Sequence, residues 1–409
     1  MPAEDGDRPV RADDRLRVPE RFTVVPAPDG SFRLHSLTFS LELRGGRGDL
    51  LGRLLALLDR ERYWAEVLAA FEPDDRPRVT AEVDALLERG ALEVVHDVPG
   101  LTAAERRRLA PQIAFFSHFV APEREGAADD GTGEVLPRSG EEYQLLLARS
   151  TVVVVGLGAT GSAVVRALAV AGVGRVVVCD PGTVDAGDRA SDGLLGGAPV
   201  GEPRAAVVRR RVEDLGTGTS VEPADRPGDV DGWVRLLDGA GCAALAEDSA
   251  DPRTYELVNE AALVTGTPWS SARPAGFEVH VGPTVLPHET ACWTCFELRR
   301  RSNVPDLAEL DLVDRHSRVA GLRPEHLLVS PAAALLALEV VKVVTLFTAP
   351  ASYAHLLSLS LVSGTTRLHP VLRVPRCPAC GRPAQARPTI HVWQRSAGED
   401  ARDRDAVAR

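Results

Sequence analysis

The stretch VVVVGLGATGSA, residues 152–163, limits the folds open to this chain more than any other feature. A run of valines buried on both faces belongs in a parallel sheet. The glycines that follow, Gly156 and Gly158, permit a tight turn. TGSAVVRALAVAGV then places apolar residues at three and four spacing, as a helix does. RVVVCD returns as a second strand that ends on Asp180. A strand, a glycine turn with Gly161 one helical turn on, a helix and a strand make a βαβ unit. Its turn offers unpaired N–H groups to a phosphate, and Asp180 would accept ribose hydroxyls. CAALAED, ELVNEAALVTG, FEVHVGPTVL and PAAALLALEVVKVVTLF continue the α/β pattern, so one domain is expected over residues 141–383.

The second signal is two C-x2-C knuckles, CWTC at Cys292 and Cys295 and CPAC at Cys377 and Cys380. Each pair can grip one side of a tetrahedral Zn²⁺, and four protein ligands leave no open position for substrate, so a structural zinc is expected. Two separate redox dithiols are the alternative. Cys179 and Cys242 lie in apolar strand-like stretches and read as buried inert thiols.

Before the α/β domain the chain divides differently. Residues 1–20 and 384–409 are rich in charge, Pro and Ala without apolar periodicity and read as disordered tails. Residues 101–140 read as a connecting helix and flexible linker. Between them, residues 21–100 hold the β-rich runs RFTVV and FRLHSLTFSLEL, three helical stretches and a closing strand ALEVV, the pattern of a winged helix-turn-helix. DNA is a poor partner for it, because residues 37–96 carry more Asp and Glu than Arg and no Lys. The net charge of the whole chain, −11, argues against nucleic acid as well. An edge strand at LTFSLEL would instead accept an extended peptide; an ordinary half-buried strand is the plainer reading. The candidate contacts are Leu37, Thr38, Phe39, Ser40, Leu41 and Glu42, with Val83, Leu86 and Leu87 on the helix beside them. No signal peptide or membrane span is evident, which predicts a cytoplasmic protein with no membrane partner.

The glycine turn, LAVAGVGRVVVCD, a second acidic strand end near Asp248, ALEVVKVV and the late C-x2-C pairs together resemble the ubiquitin-activating-type adenylating fold, also called ThiF-like. With a winged-helix unit ahead of it, the chain is similar to ThiF-like partner proteins of ribosomal peptide natural product pathways. That resemblance implies a Rossmann-like domain with a structural zinc. It also implies a precursor leader peptide as ligand, a YcaO-type or other modifying enzyme as partner, and a homodimer.

Active members of the fold bind ATP and Mg²⁺, and the resemblance carries that site onto Gly156, Gly158, Gly161, Asp180, Arg204 and Asp248. Several positions depart from the pattern. Gly182 stands where a second Asp is usual, Asp188 where Asn is, Ser191 where Arg is, and Arg204 near the usual Lys. Losing several preorganised charges predicts a depleted adenylation site. The expected role is therefore a leader-binding subunit with no catalytic residue of its own. An active adenylating enzyme and an NAD-linked oxidoreductase are the alternatives.

Overall fold

The computed structural model describes residues 10–36, 40–44, 50–95, 98–120, 139–191, 193–247, 252–309, 312 and 326–381. The chain divides into two compact units between Leu145 and Leu146.

The first unit runs through β1 (Arg15–Arg17), β2 (Thr23–Pro26), β3 (Phe32–His35), β4 (Ser40–Leu43), α1 (Leu50–Leu57), β5 (Arg62–Tyr63), α2 (Trp64–Ala69), α3 (Arg76–Glu88), β6 (Glu93–Val95) and α4 (Ala103–Ser117). β2, β3 and β4 form an antiparallel meander, and β1 is the middle strand of a second small sheet ordered β5-β1-β6. Leu16, Leu34, Leu54, Val67, Val79 and Val83 are all 0% exposed and share one core. Leu16 corrects the expectation of a disordered tail through residue 20. Only three residues long, β1 is too short for periodicity to reveal. Thr102 and Glu105 close a reciprocal capping box at the start of α4. Phe116 of α4 meets Tyr143 of α5 (Gly140–Arg149), with ring centroids 5.6 Å apart.

The second unit contains β7 (Thr151–Val155), α6 (Ala159–Val170), β8 (Arg175–Cys179), α7 (Ala186–Arg189), α8 (Arg204–Asp214), β9 (Ser220–Pro223), α9 (Val230–Leu237), β10 (Cys242–Leu245), α10 (Pro252–Thr265), β11 (Trp269–Ala275), β12 (Glu278–Val281), α11 (Trp293–Ser302), α12 (His326–Thr345), β13 (His355–Ser360) and β14 (Thr366–Pro370). Its eight-stranded sheet is ordered β14-β13-β12-β11-β10-β7-β8-β9. The strands from β9 to β11 are parallel, and those from β11 to β14 antiparallel. The expected α/β domain is borne out. Val153 and Val155, registered with Ala243 and Leu245, face the cluster that holds Trp233, Tyr255 and Trp269. α6 and α12 pack together, and α12 also packs along β10, β11 and β12.

The stretch Leu327–Thr345 is long and apolar enough to cross a membrane by length and composition. Its packing is that of a core helix. Glu339, 3% exposed, accepts from Lys342 Nζ at 2.8 Å, from the Ala351 N–H at 3.1 Å and from the Ser352 N–H at 2.7 Å. A buried carboxylate with so many donors ties the helix to the turn before β13.

Candidate functional site

Strand order reverses at β7, whose neighbours are β10 and β8. In open α/β sheets the crevice beyond the strand ends at such a point is where ligands bind. Gly156, at φ +88°, leaves β7 there in the left-handed region. A Cβ on Gly156 would lie 2.9 Å from Ala246 O, and one on Gly161 would lie 1.8 Å from Gly156 O. Gly158 is the N-cap of α6 and brings no side-chain cap. The turn thus has the form expected of a phosphate-binding loop.

The charges around it have a different arrangement. Asp180 Oδ2 accepts from the Leu157 N–H at 2.5 Å and Oδ1 from the Gly182 N–H at 2.6 Å. The carboxylate expected to hold a ribose therefore braces the turn. Arg204, at the start of α8, reaches Asp188 at 2.8 Å, Asp185 at 3.5 Å and Asp180 at 3.7 Å. One guanidinium is shared by three carboxylates. Gly182 makes this possible, because a Cβ there would stand 2.8 Å from Arg204 Nη1 and 2.7 Å from Asp180 Oδ1. Asp188 is 1% exposed, and its carboxylate also accepts from the Asp185 N–H at 3.1 Å in a reciprocal capping box. The Ser191 hydroxyl donates to Asp188 O at 2.7 Å.

Removing the guanidinium would leave Asp188 a buried charge without its ion pair and Asp180 and Asp185 facing like charge. Arg204→Met is expected to cost about 3 kcal/mol, from the penalty for breaking a buried pair. A fall in melting temperature of about 6–12 °C in a domain of this size would register it in thermal unfolding.

Asp248 lies outside the described residues. The strand-end acid that is described is its neighbour Glu247, which sequence reasoning missed. Glu247 is 8% exposed, adjoins Gly156, and is hydrogen-bonded by Arg226 from the loop after β9, which also contacts Thr254. Nothing in the spacing of Arg226 and Glu247 announces the pair; only the crossing of the sheet brings them together. Cys179 and Cys242 are buried, and burial pushes both thiols up to about 12.

The four knuckle cysteines converge. Sγ atoms stand 3.9 Å apart for Cys292 and Cys295, 3.8 Å for Cys292 and Cys377, and 3.5 Å for Cys295 and Cys380. All four ligand atoms lie within 4.8 Å of one another. Thiolates at about 2.3 Å from one tetrahedral ion are about 3.8 Å apart, so the donor set fits a metal. This convergence corrects the alternative of two separate dithiols. Hydrogen bonding from the Cys292 thiol, aided by the Val374 N–H at 3.3 Å, lowers Cys295 to about 4, while Cys292 is raised. Cys295 sits in the first turn of α11, where the helix dipole favours a thiolate. Arg299 clamps the last segment by donating to Leu372 O at 2.6 Å and Arg373 O at 3.0 Å.

In the first unit, Leu37, Thr38 and Phe39 lie outside the described residues. Ser40, Leu41 and Glu42 belong to β4, the outer strand of its meander. Val83 and Leu86 are 0% and 1% exposed and sit in the core, which corrects their assignment to a peptide surface. The period of α3 turns both inward, while Leu87 is half-buried.

A model of the ThiF family matches residues 133–379. Protein HesA, vegetative, of Trichormus variabilis is 30% identical over 257 residues, 62% of this chain and 89% of that protein. The sulfur carrier protein adenylyltransferase of Thermus thermophilus is 31% identical over 253 residues, 60% of this chain and 88% of its own. Among solved structures, E. coli MccB matches with a TM-score of 0.61 at 15% identity, over 90% of this chain and 100% of that one, a likeness of fold.

Proposed function

Given that the chain belongs to the ThiF family, we propose that it is a member without adenylating activity. In this reading it binds the leader region of a ribosomally made precursor peptide through its first unit. It then presents that peptide to a separate modifying enzyme, of the YcaO cyclodehydratase type. The observation that carries the reading is Arg204, held among Asp180, Asp185 and Asp188 at 2.8–3.7 Å. Three carboxylates against one guanidinium leave excess negative charge where a triphosphate would lie, and like charges disfavour one another at such range. The meander and helices of the first unit support a winged-helix element. The four-cysteine cluster supports a structural zinc, held by Cys292, Cys295, Cys377 and Cys380. MccB, which shares this fold, is described as a microcin C7 biosynthetic enzyme and has been solved in complex with N-formylated MccA.

A second reading is an active adenylating enzyme. The sulfur carrier protein adenylyltransferase among the relatives and the retained glycine turn favour it. Calorimetric titration of the zinc-replete protein with ATP·Mg²⁺, and separately with the leader peptide of a precursor encoded beside its gene, separates the two. The expected result is peptide binding without nucleotide binding, and no ATP–pyrophosphate exchange above background. Exchange dependent on added peptide would establish the second reading instead. The oxidoreductase alternative draws no support from the relatives named.

A further inference from the structure

The outer edge of β4 carries a contact that a simple peptide-docking edge would lack. Ala27 N donates to Ser31 O at 2.8 Å, closing the hairpin between β2 and β3. Hydrogen bonds alternate along an antiparallel ladder, so Arg33 and His35 turn their main-chain groups to β2, and Phe32 and Leu34 turn theirs to β4. Phe32 is registered with Leu43 and Leu34 with Leu41, while Arg33 faces Glu42 and His35 faces Ser40. Ser40 and Glu42 therefore direct their N–H and C=O groups outward, where no strand lies among the described residues.

One of those outward acceptors is occupied by the chain itself. Arg89, at the C-cap of α3, donates Nη2 to Glu42 O at 2.9 Å. Arg44 Nε reaches the Glu42 carboxylate at 2.9 Å, and Arg33 lies directly across the ladder. Arg44 thus holds the Glu42 carboxylate, Arg89 its main-chain oxygen, and Arg33 is its register partner, so three arginines lie at this edge in a chain of net charge −11. Asp29, the acid of the neighbouring hairpin, is engaged by Ser31, whose N–H donates at 3.0 Å and whose hydroxyl donates at 2.6 Å.

We infer that Arg89 is a latch on this edge: a bound strand replaces it on Glu42 O, and the released guanidinium pairs with a carboxylate of the bound peptide. The site thereby selects acidic extended peptides. This rests on the reading of the first unit as a peptide-binding element. Main-chain pairing along an edge is indifferent to sequence, and specificity must come from side chains beside it. A peptide without a carboxylate breaks the Arg89 bond and offers the guanidinium nothing in return. A peptide with one exchanges a neutral acceptor for a charged one, the stronger partner.

The full-length protein is panned against random 12-residue peptides displayed on phage, and retained peptides are resynthesised for affinity measurement. Asp and Glu are expected to be enriched. Arg89→Gln should weaken the best acidic binder about tenfold, the scale of a charge-assisted hydrogen bond. Replacing that peptide's acid by its amide should cost wild type as much and Arg89→Gln nothing further, as coupling requires. Arg78→Gln removes the same charge about 16 Å away along α3, beyond the screening length, and should change affinity less than about twofold. Retained peptides with no acid enrichment, or an affinity indifferent to Arg89→Gln, would overturn the latch and leave peptide binding standing. Retention of no peptide at all would overturn both.

Discussion

Stripping the zinc proposed for the four-cysteine cluster is expected to lower the melting temperature of the α/β domain by about 10 °C or more. Structural zinc sites contribute folding free energy directly, and a loss of several kcal/mol shifts a domain of this size by that much. The cluster lies inside the core that contains Trp233, Trp269 and Trp293, not on a surface appendage. Trp293 follows the first ligand, and its ring centroid is 4.5 Å from that of Tyr255 and 5.1 Å from that of Phe296. Metal loss should therefore also shift tryptophan emission to the red. Elemental analysis is expected to find a single zinc per chain. Double replacement of Cys377 and Cys380 by Ser should abolish it and reproduce the chelator's effect on melting. Metal-free protein that melts with the untreated sample would remove the site from the stability of the fold.

Gly161→Ala is expected to be among the most damaging glycine substitutions in the second unit. Its new Cβ would stand 1.8 Å from Gly156 O and 3.3 Å from Ala246 O, both main-chain atoms that cannot rotate away. α6 would have to lift from the sheet, and a cost above about 4 kcal/mol is expected. Gly197→Ala is the contrast, since that glycine has φ +68° but nothing within 4 Å of its added Cβ. Only backbone strain remains there, roughly 1–2 kcal/mol. Soluble yield and urea midpoints of the two variants measure the difference, and equal stability would contradict the close approach of α6. The contrast explains how a glycine turn persists in a chain proposed not to use ATP. Gly156 and Gly161 are needed for packing whether or not a phosphate binds.

The parts legible in the sequence were those written in local spacing. Valines and glycines marked β7 and its turn within a dozen residues, and two C-x2-C pairs marked the four cysteines of the cluster, though not that the pairs meet. Arg204 was legible only as a residue where the resemblance expects Lys. Its three carboxylates lie 16–24 residues upstream, Asp180 just past β8, Asp185 at the N-cap of α7 and Asp188 within it, and only the folding back of the connection between β8 and α8 gathers them. The neighbouring Gly182 was the available sign, since a missing side chain beside Asp180 leaves room for something larger. Arg226 and Glu247 left no sign at all. Val83 and Leu86 were misassigned because period alone finds the apolar stripe of α3 without saying which element covers it.

The two cysteine pairs of the cluster are separated by 85 residues, Cys292 from Cys377 and Cys295 from Cys380. At translation rates of about 5–20 residues per second, the first pair leaves the ribosome about 4–17 s before the second. Throughout that interval the nascent chain owns two of the four cluster thiols, half of a tetrahedral shell, while β13 and β14 are still being made. Capture of the proposed zinc by all four cysteines is thus confined to chains synthesised past Cys380, and such coordination would report that translation has passed the last strand of the sheet.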